Sequence, residues 1–89
     1  IIDQIKNKSS IIDLIKSAEI LYKQKDEINE ILEYFNINFI KSKDIKLINC
    51  IYIIENTKKR LKANSNYDMS IDNMLLSIWE EVNEKNNRS

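Results

Sequence analysis

From Ile71 onward the apolar positions fall at Ile71, Met74, Leu75, Ile78, Trp79 and Val82, in steps of three and four that return to one helical face. This is the cleanest amphipathic pattern in the chain. It predicts a helix that starts at an Asn66 cap, carries Tyr67 and Asp68 in its first turn and keeps Glu80, Glu81 and Glu84 in water. Residues 85–89 are polar and predicted to fray. Read from the other end, Ile1, Ile2 and Ile5 predict one short helix or the tail of a longer one. Ser10 followed by Asp13 is close to a capping box, with aspartate in place of glutamate. The helix it opens carries Ile11, Ile12, Leu14, Ile15, Ala18, Leu21 and Tyr22 on one face, with Lys16, Glu19, Lys23 and Gln24 outward, and ends near Gln24.

Asp26 and Glu27 suit the first turn of the next helix, where negative charge is favourable. Its stripe is Ile28, Ile31, Leu32, Phe35 and Phe39, widened by Tyr34 and Ile40. Asn36 and Asn38 are poor residues for a helix interior; they mark either surface positions or a locally strained helix, and the surface reading is preferred. Ser42 or Asp44 then caps a helix with two neighbouring stripes: Ile45, Ile48, Ile51 and Tyr52, beside Leu47, Ile54 and Leu61. So wide an apolar arc predicts a central helix covered on more than one side. The run Cys50-Ile51-Tyr52-Ile53-Ile54 has the composition of a buried strand, but its long periodic context and the lack of turn residues favour helix. Cys50 reads as a small buried apolar residue. The expected fold is all-α, a small bundle of about four to five helices forming one domain over 1–89.

The helix that starts near 44 turns basic at its end, with Lys58, Lys59, Arg60 and Lys62. Glu55 precedes Lys59 by four residues, an orientation that favours a pair, and cations suit a helix C-terminus. The same run is also a candidate docking patch for an acidic partner or a phosphate backbone. Asn64-Ser65-Asn66 is the turn. The chain has no glycine, so Asn64 is the candidate for a left-handed helix end. Arg60 and Asp72 face each other across this turn in sequence and are expected to bond to one another or to the 64–66 backbone.

Composition narrows the chemistry. Without glycine, neither a phosphate-cradling loop nor a dinucleotide-binding loop is expected. Without histidine the usual general base and the commonest metal ligand are missing, and one cysteine makes neither a disulfide nor a zinc cluster. An active site, a metal and a cofactor are therefore not expected in these residues. Proline is absent as well, so nothing forces a helix to break internally. The 89 residues start at Ile1 and contain neither a signal-peptide pattern nor an 18-residue apolar run, which reads as a piece of a longer soluble, cytoplasmic protein. Net charge is zero but unevenly spread: −2 over 1–40, +5 over 41–62 and −3 over 63–89. A basic helix neutralised by acidic neighbours is favoured over a nucleic-acid surface, which normally gives a domain a basic balance.

The corner from Arg60 to Trp79 resembles the last corner of the C-terminal, or collar, domain of the delta-prime subunit of the bacterial DNA polymerase III clamp loader. In that family an Arg-Leu-x-x-Asn-x-Asn-Pro corner leads into a leucine-rich amphipathic helix. The chain matches at Arg60, Leu61, Asn64, Asn66, Asn73, Leu75 and Leu76, with conservative replacements at Met69, Ile71, Asp72 and Met74. It departs at Tyr67, where the family often has proline. The resemblance covers about twenty residues, and it implies a non-catalytic domain that holds delta-prime in a five-subunit collar during sliding-clamp loading. It implies AAA+ domains ahead of this one and, as partners, the collar domains of the gamma/tau and delta subunits. The lack of a long apolar run and the charge balance lead to no membrane being expected and to DNA contact by this domain being disfavoured. Arg60, Asn64, Asn66, Asp72, Leu75 and Leu76 are the corner and interface candidates. The alternatives are a DNA- or RNA-binding helical module using the 58–62 cluster, and an unrelated protein-interaction bundle.

Overall fold

Three of the helices start where the sequence supplies a side-chain cap, at Ser10, Asp44 and Asn66. A computed structural model describes residues 1–6, 10–63 and 65–83. Helix α1 is short, Ile2–Lys6, and α2 spans Ile11–Tyr22. The Ser10 hydroxyl accepts the Asp13 N–H at 3.2 Å, so the predicted start of α2 is the observed one. A 3-10 turn, Lys25–Glu27, then precedes α3, Ile28–Ser42. Asp26 and Glu27 fall in that turn, one residue before the helix they were expected to open. Helix α4, Ile45–Lys62, is capped by Asp44, whose carboxylate accepts the Lys46 N–H at 2.9 Å. Helix α5 spans Tyr67–Asn83.

The fold is an all-α bundle, and there is no strand among the described residues. Helix α4 packs against both α3 and α5, α2 packs against α5, and α1 closes over α2 and α5. The Ser17 hydroxyl donates to the Gln4 side chain at 2.8 Å and so ties α2 to α1. The central place predicted for α4 is observed, but the core selects one of its two stripes. Leu47, Cys50, Ile54 and Thr57 are buried, at i, i+3, i+7 and i+10. Ile45 and Tyr52, on the neighbouring stripe, are 67% and 75% exposed. The same narrowing corrects α2, where Ile12 and Ile15 are exposed, and α3, where Tyr34 and Ile40 are. In each case the partner helices cover a narrower arc than the apolar residues occupy.

Two further differences concern polar and turn residues. Asn36 is buried, not at the surface; its amide donates to the Glu55 carboxylate at 2.9 Å, while its own oxygen has no partner among the described residues. The positive φ in the described chain falls on Lys43, at 58°, where α3 ends. A left-handed residue with a side chain costs about 1–2 kcal/mol, and here the sharp α3–α4 turn imposes it. Two bonds brace that turn: the Ser42 hydroxyl donates to the Phe39 carbonyl at 2.6 Å and accepts the Asp44 N–H at 3.1 Å.

Candidate functional site at the α4–α5 corner

Helix α4 ends on Lys59, Arg60 and Lys62, with cations near its carbonyl end as the helix dipole favours. The Ala63 N–H bonds back to the Lys59 and Arg60 carbonyls, both at 3.1 Å, and the Ser65 N–H reaches the Arg60 carbonyl at 3.2 Å. The chain is thus folded back on α4 before α5 starts. Asn64, the candidate left-handed residue, lies outside the described residues. On the far side of the turn the Asn66 side chain accepts the Met69 N–H at 2.9 Å, and its carbonyl accepts the Ser70 N–H at 3.0 Å. Asn66 therefore caps α5. Asn66→Ala is expected to lower stability by about 1 kcal/mol. An unchanged melting temperature for that variant would show that the cap contributes nothing.

The corner is tied to α2 by two tyrosines. The Tyr67 hydroxyl, in the first residue of α5, donates to the Leu21 carbonyl at 2.6 Å. In the opposite direction, the Tyr22 hydroxyl at the end of α2 donates to the Asp72 carboxylate. The Tyr67 bond gives the Leu21 carbonyl, which already accepts the Gln24 N–H at 3.1 Å, a second donor, and the Tyr67 ring lies under the Lys25 ammonium, 5.6 Å from the centroid. Tyr67 is the position where the chain departs from the resembled motif, and here it is an anchor. Neither tyrosine bond was expected from the sequence. The available signal was the residue type: an aromatic body with a polar tip, at the first turn of one helix and the last turn of another.

The expected link between Arg60 and Asp72 is not formed. Asp72 faces Tyr22, whereas Arg60 lies with Asn73 along a shallow cleft of about 100 Å³ between α4 and α5. Successive helix residues are rotated by about 100°, so Asp72 and Asn73 serve different faces of α5. Among the described residues the Arg60 guanidinium has no hydrogen-bond or ion-pair partner. The two leucines of the motif also separate: Leu75 is fully buried and Leu76 is 38% exposed.

The hydrogen bond to Asp72, with burial and nearby carboxylates, pushes the Tyr22 phenol up to about 12. Burial and Asp68 raise that of Tyr67. A phenol whose folded pKa lies above its unfolded value stabilises fully below about pH 10, and that stabilisation is lost as the pH rises through about 12. Tyr22→Phe is therefore expected to melt lower than the parent at pH 7, with the gap closing between pH 10 and 12. A gap independent of pH over that range would rule out the Tyr22–Asp72 bond as its source.

A second polar cluster joins α3 to α4. Lys58 bonds to Glu33 on α3 and lies 3.1 Å from Glu55 on its own helix. The Glu33 carboxylate, with Glu55, raises the Lys58 pKa against the opposing effect of burial, and Lys58 and Asn36 lower that of Glu55. The close ion pair of Glu55 is with Lys58, which is turned toward α3; the expected partner Lys59 is exposed and acts on Glu55 only at longer range. One member of the basic run is thus neutralised within the fold. Cys50 is fully buried, and burial pushes its thiol up to about 12, away from the reactive thiolate form. No helix among the described residues is long and apolar enough to cross a membrane.

Comparison with known proteins adds no relative: no family model, no curated protein and no solved structure matches the chain.

Proposed function

We propose that this chain is a protein-assembly domain, and specifically the collar-type domain of a bacterial clamp-loader delta-prime subunit. It would pack against the collar domains of gamma/tau and delta in the cytoplasm and carry out no bond chemistry of its own. The observation that carries the reading is the α4–α5 corner. The motif positions perform structural work there: Asn66 caps α5, Leu75 is buried beneath it, and the turn bonds back to Arg60. A corner fixed in this way orients two long helices rigidly, as a domain that transmits position between subunits requires. Exposed apolar side chains on several helices, among them Ile12, Ile40, Ile45, Tyr52 and Leu76, supply contact area for neighbours.

The nucleic-acid alternative draws less support from the geometry. Lys58 is held between Glu33 and Glu55, and both carboxylates would face an approaching phosphate backbone. The test of the proposal is the parent gene. Two AAA+-like regions in the reading frame ahead of Ile1 are expected; a frame that lacks them overturns the clamp-loader assignment and leaves a general interaction bundle.

A further inference from the structure

A cleft of about 290 Å³ opens where the 3-10 turn, the start of α3, the end of α4 and the start of α5 meet. Its floor is apolar: Ile28, Leu61 and the Tyr67 ring. Its rim is cationic, with Lys25 on one side and Lys62 on the other. It continues past Asn29 into a second cleft of about 430 Å³, whose wall adds Lys59. The acidic groups along this groove are Glu33 and Glu55, and both are engaged by Lys58. Among the described residues, Lys25 and Lys62 make no ion pair, and Lys59 acts on Glu55 only at longer range, behind the close Lys58 pair.

We propose that this groove receives an acidic segment of a partner protein, with one apolar side chain of that segment seated on Ile28, Leu61 and Tyr67. The proposal rests on the reading of the chain as an assembly domain and names the face and the partner chemistry. The apolar floor favours a protein over a nucleic acid, because a phosphate backbone has nothing to bury there. Binding energy concentrates in a central apolar anchor enclosed by a polar rim. The three lysines then select an acidic sequence and speed its approach more than they add affinity, since exposed ion pairs contribute little each. Lys25 is already positioned, with its ammonium over the Tyr67 ring.

The test is a nuclear-resonance titration of the whole chain with a synthetic peptide of alternating Glu and Ser around a single Phe. The expected result is saturable amide shifts centred on Lys25, Asn29, Leu61 and Tyr67. Exchanging the Phe for Ala, or combining Lys25→Glu with Lys62→Glu, is expected to weaken binding about tenfold. Both lysines are exposed, so the double variant should keep the parent spectrum elsewhere. Shifts absent from the cleft, or an affinity unchanged in the double variant, overturn the proposal. Tighter binding of duplex DNA at the same residues, or concentration-dependent shifts without any peptide, would assign the groove to nucleic acid or to a second copy and overturn it equally. The titration needs no clamp-loader subunit, so its failure leaves the assembly reading standing, and failure of that reading leaves the titration valid.

Discussion

Leu75→Ala is expected to destabilise the domain by about 2–5 kcal/mol, whereas Leu76→Ala, one residue on, should change stability by less than about 0.5 kcal/mol. Leu75 is fully buried between α5 and its neighbours, so truncation removes its transfer free energy and leaves a cavity that the surrounding helices fill only in part. Leu76 is 38% exposed and loses much less. In a domain of this size each kcal/mol corresponds to about 4–8 °C in melting temperature, so thermal unfolding followed by circular dichroism separates the two variants clearly. Equal effects at both positions would mean that the packing of α5 assigned here is rotated.

The second large effect is expected at Phe39. This ring is fully buried on α3, and its centroid lies 6.2 Å from that of Phe35 in a tilted pair. Phe39→Ala should cost about 3–5 kcal/mol, with the aromatic pair contributing about 0.5–1.5 kcal/mol beyond burial. Total stabilities are on the order of 5–15 kcal/mol, so this variant should be partly unfolded near physiological temperature. Tyr34→Ala, at an exposed site on the same helix, is the control and should unfold like the parent. Urea titration measures both; a Phe39 variant within about 0.5 kcal/mol of the parent would contradict the assigned core.

The helices were legible because burial imposes a period. The six apolar positions of α5 read from the sequence are all buried or half-buried, and the Ser10, Asp44 and Asn66 caps stand where side-chain chemistry placed them. The width of each buried face was not legible. Ile45 and Tyr52 have the composition and spacing of core residues, yet how much of α4 is covered depends on where α3 and α5 lie, which periodicity does not encode. Asn36 failed in the opposite direction, because a polar residue is buried when a neighbouring helix offers a partner, here Glu55. The Tyr22–Asp72 and Tyr67–Leu21 bonds join residues 50 and 46 positions apart, so no local pattern announces them. At the corner itself the sequence tied Arg60 and Asp72 to one another or to the 64–66 backbone, and the bond between the two side chains is not formed. One step of helical rotation gives Asp72 to α2 and leaves Arg60 beside Asn73.

The most direct measurement of the assembly claim is co-expression of the parent chain with the gamma/tau and delta subunits of the same genome, followed by size-exclusion chromatography with light scattering. The account predicts one co-eluting complex that depends on residues 1–89. Separate elution of this chain from subunits that assemble without it would contradict the account.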